Sequence, residues 1–181
     1  ASDSSESEET AAKAAAPESE GDTRVRTTRA ATTPQELHAA LKATNPAYTG
    51  NGQFVTEDGR IVEVSIRKCG ITDLSPLQGL PLRMLECSSN PNLSDLSPLR
   101  DMPLKKLFCQ LNNKVSDLAP LKGAPLQHLW LSGSAVDDLT PLRDMPLKSL
   151  MVDYTEVRDL SSLTDMELEM LCIEKTRVDD L

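Results

Sequence analysis

The sequence predicts an α/β-type repeat solenoid: a curved stack of parallel strands, joined by short turns and opened by a helix and a hairpin. Three observations predict it. First, the apolar residue two places before each Asp-Leu pair recurs at Ile71, Leu93, Val115, Val136, Val157 and Val178, at intervals of 22, 22, 21, 21 and 21 residues. Second, whole phrases return: DLSPLRDMPLKKLFC (residues 95–109) becomes DLTPLRDMPLKSLMV (residues 138–152). Third, the frame positions near each phrase's end alternate, as in Leu129-x-Leu131, the pattern of a strand with one buried face. The unit over residues 115–135 holds six large apolar positions, Val115, Leu118, Leu121, Leu126, Leu129 and Leu131. Six such side chains cannot offset the entropy of ordering the whole unit, so neighbouring units must stack on it.

Residues 1–32 precede the repeats and differ from them. They are rich in Ser, Glu, Ala and Thr and nearly free of large apolar side chains. Such a segment cannot bury enough surface to order itself, and it reads as a disordered acidic tether. The whole chain carries a net charge of −9, and most of it sits in residues 1–22, where seven acidic residues face Lys13 alone. The remainder is nearly balanced. It lacks the basic footprint of a nucleic-acid or anionic-membrane binder, and no apolar run reaches the length of a spanning helix. The chain opens on Ala1 rather than Met, which fits removal of a leader, a lipid-anchor segment or a preceding domain. With the tether, this leans toward an exported protein, periplasmic or at the cell surface, with a cytoplasmic one left open.

Residues 33–60 should cap the first edge of the core. In TPQELHAALKATNP (residues 33–46) Thr33 suits an N-cap and Pro34 the first helical position, while Leu37, Ala40 and Leu41 make an apolar face. Asn45-Pro46 ends the helix. QFVTEDGRIVEVSI then reads as a hairpin turning at Glu57-Asp58-Gly59.

Residues 61–181 hold about six repeats, the last incomplete. The frame Leu126, Leu129, Leu131, Ser134, Val136 recurs as Leu82, Leu85, Cys87, Asn90, Leu93 and as Leu104, Leu107, Cys109, Asn112, Val115. It returns twice more, and a degenerate first copy starts at Ile61. This spacing resembles the leucine-rich-repeat pattern L-x-x-L-x-L-x-x-N/C-x-L, and the following DLSPL resembles the short-repeat, internalin-like bacterial variety. The resemblance implies an arc with parallel strands on the concave face and short turns or 3₁₀ segments on the convex face. The strands should centre near Val64–Ile66, Leu85–Cys87, Leu107–Cys109, Leu129–Leu131, Leu150–Val152 and Leu171–Ile173. The helix and hairpin also resemble the capping segment before such repeats in bacterial proteins, some of which join them to Ser/Thr kinases. Two turns, Asn90-Pro91-Asn92 and Asn112-Asn113-Lys114, carry an extra residue and should bulge. The last unit has Ser162 and Glu167 where earlier units have Pro.

Candidate chemistry is sparse. Asp73, Asp95, Asp117, Asp138 and Asp159 form a repeated row, but each precedes a tight turn whose amides it can cap. A Pro three residues later falls in the first turn, where its missing N–H is harmless. His38 and His128, the only histidines, have no Cys or His at metal-ligand spacing. No phosphate loop, nucleophile elbow or zinc signature occurs. These readings predict no cofactor and no enzymatic activity. Cys69, Cys87 and Cys109 should be small buried hydrophobes. A disulfide between the stacked Cys87 and Cys109 would suit parallel side chains poorly.

The frame leaves the outward strand positions free. Their middle column reads Ser65, Glu86, Phe108, Trp130, Met151, Cys172. No core demand places Phe108 and Trp130 outward, and clustered outward aromatics rimmed by polar residues mark protein interfaces. The alternative is that these side chains merely cover one another. The candidate partner-binding residues are Phe108, Trp130, Met151 and Cys172, with His128, Lys106, Glu86 and Asp153 around them. The expected function is a non-enzymatic module that binds a protein or peptide across the concave sheet. Alternatives are a structural subunit of a larger assembly, or the docking or sensor region of a multidomain protein such as a Ser/Thr kinase. The C-terminal edge should be open, to be covered by a partner, a second copy or further repeats.

Overall fold

The computed structural model describes residues 33–178. The expected tether over 1–32, and residues 179–181, lie outside the described residues.

Helix α1 (Pro34–Thr44) opens with a capping box: Thr33 Oγ1 accepts from the Glu36 amide at 3.2 Å and Glu36 Oε2 accepts from the Thr33 amide at 3.0 Å. The Thr33 and Glu36 amides at the helix start are thus satisfied. Leu37 and Leu41, one turn apart, are fully buried. Asn45 ends the helix and ties it to the first repeat. Its Oδ1 accepts from the Thr72 and Asp73 amides at 2.7 and 2.9 Å, and its Nδ2 donates to the Asp73 carbonyl at 3.0 Å.

Strands β1 (Gln53–Glu57) and β2 (Arg60–Ser65) pair antiparallel. They are joined by Asp58 and Gly59, both left-handed at φ 48° and 72°, which matches the twist of a two-residue hairpin. From β2 onward every pairing is parallel and follows chain order: β3 (Met84–Glu86), β4 (Lys106–Phe108), β5 (His128–Trp130), β6 (Ser149–Met151) and β7 (Met170–Cys172). The result is the leucine-rich-repeat solenoid arc that the repeat predicts.

Side-chain facing agrees with the repeat frame. Leu85, Leu107, Leu129 and Leu150 are fully buried, and so are Cys87, Cys109, Leu131 and Val152. The strand limits differ. Each regular strand centres on the first buried residue, and the second lies just beyond it. The Cys87, Cys109 and Leu131 amides still donate to the next rung, to Phe108, Trp130 and Met151 carbonyls at 2.7–2.8 Å. Two residues later the backbone turns left-handed, at Ser89, Leu111, Gly133 and Tyr154, which ends the ladder. On β7 the cover thins: Met170 is 50% and Leu171 39% exposed.

The convex side is a row of 3₁₀ turns at Ser75–Leu77, Ser97–Leu99, Ala119–Leu121, Thr140–Leu142 and Ser161–Leu163. Each repeated Asp accepts from the amide two residues on, at 2.6–2.8 Å, so all five aspartates have the capping task. The last turn, which has Ser162 and Glu167 in place of Pro, closes differently. The residue closing the first four turns has ψ of 127° to 138°, whereas Thr164 is helical at ψ −39°.

Candidate interaction surface

The parallel register sets the outward residues in rows. Glu86 is paired with Phe108, Phe108 with Trp130, Trp130 with Met151, and Met151 with Cys172. The neighbouring row runs Met84, Lys106, His128, Ser149, Met170. Residues in a row are about 4.8 Å apart, one strand spacing. The Phe108 and Trp130 rings therefore meet, with centroids 4.4 Å apart and planes tilted by 47°. That offset, tilted contact suits the ring quadrupoles.

Phe108, Trp130, Met151 and Cys172 are all half-buried, as are His128, Glu86 and Asp153; Lys106 is exposed. The patch is thus more covered than an isolated outward Trp would be. Part of the cover is mutual packing, as the alternative reading supposed. Trp130 Nε1 donates to Ser149 Oγ at 3.2 Å, and Ser149, in an outward position, is buried beneath it. The ring still presents its remaining surface with Phe108.

Two of the rim residues, Glu86 and Asp153, are held by hydrogen bonds within the sheet. Glu86 Oε1 accepts from the Ser88 amide at 2.9 Å, and Ser88 Oγ donates to Gln110 Oε1 at 2.7 Å. Asp153 accepts from Ser132 Oγ at 3.0 Å and from the Glu174 amide at 2.9 Å. A rim of polar groups around an apolar centre is the ordinary build of a binding patch.

Exposed large side chains also stand outside the expected set, and two of them share one backbone position. Leu111 is 59% and Tyr154 55% exposed, both at φ 58° just past their strands. They share this left-handed column with Lys68, Ser89, Gly133 and Lys175. Lys175 Nζ donates to Tyr154 Oη at 2.9 Å, and the ammonium stays charged to higher pH for that reason. Gly133 in this column is the signal that a left-handed position recurs there.

The other reactive groups are placed structurally. His38 Nδ1 shares a hydrogen bond with Tyr48 Oη at 2.7 Å, packed against Phe54. Cys69, Cys87 and Cys109 are buried free thiols and Cys172 is half-buried. The Cys87 thiol is pushed up from its ordinary pKa by its hydrogen bond with Cys109, then by burial. Among the described residues no three His, Cys, Asp or Glu side chains gather to hold a metal ion, and no helix is long and apolar enough to cross a membrane.

Comparison with solved structures supports the architecture. An internalin (inlF) from Listeria monocytogenes aligns with a TM-score of 0.51 at 22% identity, over 80% of this chain and 57% of that one. Internalin C2 from the same species aligns over 80% of this chain and 85% of its own, with 23% identity and a TM-score of 0.48. This chain therefore spans little more than half of the first internalin. No family model matches the sequence, and no curated protein matches it. The fold is an internalin-like leucine-rich repeat.

Proposed function

We propose that the chain is a non-enzymatic interaction module that receives a protein or peptide across its concave strand face. One observation carries this reading: the Phe108–Trp130 pair. The two rings pack against each other on the outward side of β4 and β5, while the core beneath is already filled by Leu107 and Leu129. Large aromatics outside a complete core, bordered by polar groups, are the usual anchors of protein interfaces. Met151 and Cys172 extend the apolar row, and His128, Lys106, Glu86 and Asp153 border it.

Trp130→Ala tests the reading, with Leu129→Ala as its control. Against a purified binding partner, Trp130→Ala should weaken affinity by about 2 kcal/mol, roughly thirtyfold in Kd. It should lower stability by less than Leu129→Ala, which opens a core cavity and costs about 2–5 kcal/mol. Calorimetric titration and thermal unfolding measure the two effects. If Trp130→Ala unfolds the protein as badly as the control, the ring is structural and the reading fails.

A further inference from the structure

A cationic flank adjoins the aromatic row. Where the chain returns from the 3₁₀ turns at Ser97–Leu99, Ala119–Leu121 and Thr140–Leu142 to the next strand, it presents Arg100, Lys105, Lys106, Lys122, Arg143 and Lys148, all exposed. Backbone bonds fix their order. The Lys105 amide donates to the Arg83 carbonyl, Gln127 to Lys105, and Lys148 to Gln127, each at 2.8 Å. Residues 83–148 contain eight basic and seven acidic side chains, a balance that hides the segregation. Asp101 and Asp144 oppose the cations within these rungs, and Asp165, Glu167 and Glu169 follow on the next rung beside Arg143 and Lys148. Asp95, Asp117 and Asp138 are held at the far ends of the 3₁₀ turns by amides of residues 97, 119 and 140. Glu86 lies on the strand face.

The cations are largely uncompensated. Arg100, Lys105, Lys106 and Lys122 make no ion pair with another described residue, and Lys148 meets only the exposed Glu169, at 3.1 Å. Lys106 also joins the flank to the aromatic row. It lies on β4 two residues before Phe108, so both side chains leave the same face.

We propose that this flank and the aromatic pair together dock an acidic peptide segment of a partner protein. Its carboxylates would lie along the lysines and arginines, and an apolar side chain would seat on Phe108 and Trp130. The inference rests on the reading of the strand face as the interface and names the class of partner. A nucleic acid fits less well. Its evenly charged backbone would meet Glu86, Asp153 and Glu174 across the aromatic row. A peptide can confine its charge to one side.

Fluorescence anisotropy of the full chain with a fluorescein-labelled peptide of alternating Glu and Leu tests this. The same peptide with Gln for Glu and an oligothymidylate are the comparisons. The Glu peptide should bind, weaken as salt rises, and lose at least about tenfold in affinity in the Lys105→Glu/Lys122→Glu variant. Both sites are exposed, and unchanged thermal unfolding would confirm an intact fold. Equal binding of the Gln peptide, tighter binding of the oligothymidylate, or no binding of the Glu peptide overturns the inference. Trp130→Ala separates the two readings. If it leaves Glu-peptide binding intact while the charge reversal abolishes it, the cationic flank stands and the strand-face reading fails. If Trp130→Ala abolishes binding and the charge reversal does not, the strand face stands and the acidic partner is wrong.

Discussion

The two halves of the solenoid close their turns by different means. In the first half the spacing is 22 residues and asparagine fills the turn, at Asn90 and Asn112. Asn90 Oδ1 accepts from the Cys69 and Ile71 amides at 3.1 and 2.9 Å, while its Nδ2 donates to the Ile66 and Cys87 carbonyls at 3.0 and 2.8 Å. Asn112 takes the Asn90 amide at 2.7 Å and reaches back to the Cys87 carbonyl at 3.0 Å. In the second half the spacing is 21 residues, and Ser134, Thr155 and Thr176 occupy the position. There the backbone bridges neighbouring turns directly: Ala135 donates to Val115, Glu156 to Val136 and Arg177 to Val157, at 2.9–3.0 Å. One residue fewer lets adjacent turns bond to each other. One residue more leaves a gap that only a side chain with both donor and acceptor can fill.

This contrast orders the effects of substitution. Asn90→Ala should be the most damaging, because it strands two buried amides and two carbonyls at once. Unmade buried hydrogen bonds cost about 1–3 kcal/mol each, with partial relief from relaxation, so a loss of about 3–5 kcal/mol is expected. Scanning calorimetry should show the melting temperature fall by about 10 °C. A fall no larger than that of a surface variant would show that the asparagine is not what closes the longer turns.

Thr155→Val should have a middling effect. Thr155 Oγ1 donates to the Val152 carbonyl at 2.6 Å and does nothing else for the turn, which the Glu156 amide already bridges. Losing one neutral hydrogen bond at nearly constant shape should cost about 1 kcal/mol in chemical denaturation. A loss equal to that of Asn90→Ala would mean that both halves rely on their side chains alike.

The halves also differ in how much the sequence discloses. The apolar frame was readable in both, because period and burial are the same fact seen twice: Leu85, Leu107, Leu129 and Leu150 recur because each must be covered. The capping aspartates were readable for the same reason, since an Asp before a Pro-containing turn has one local task. The outward row was placed correctly as a row, with Phe108 beside Trp130. Its cover was read only as an alternative, and the burial of Ser149 by Trp130 on the adjacent strand was not read at all, because it comes from another repeat. The strand ends were displaced because the left-handed residue that stops each ladder takes many side chains, among them Leu111 and Tyr154. The charge segregation was hidden because local sequence interleaves cations and anions that the turns send to opposite flanks. Asn45 showed itself as a helix stop, but its bonds to Thr72 and Asp73 span a distance in sequence that no local pattern reports.

Ser134 is where the two schemes meet, and it should respond least, with the opposite sign. It holds the asparagine position in the first shorter unit, yet the Ala135 amide already bonds to the Val115 carbonyl at 2.9 Å. Ser134 is 6% exposed, and its hydroxyl is the one buried side-chain polar atom among the described residues with no hydrogen-bond partner. A buried hydroxyl without a partner opposes folding. Removing it takes away no bond and leaves a void of one oxygen atom. Ser134→Ala should therefore hold stability level or raise it by up to about 1 kcal/mol, measured as a shift of the denaturation midpoint at unchanged slope. A loss of about 1 kcal/mol or more would show that the hydroxyl has a partner, a buried water included, and that the shorter turns still lean on the side chain their backbone had made redundant.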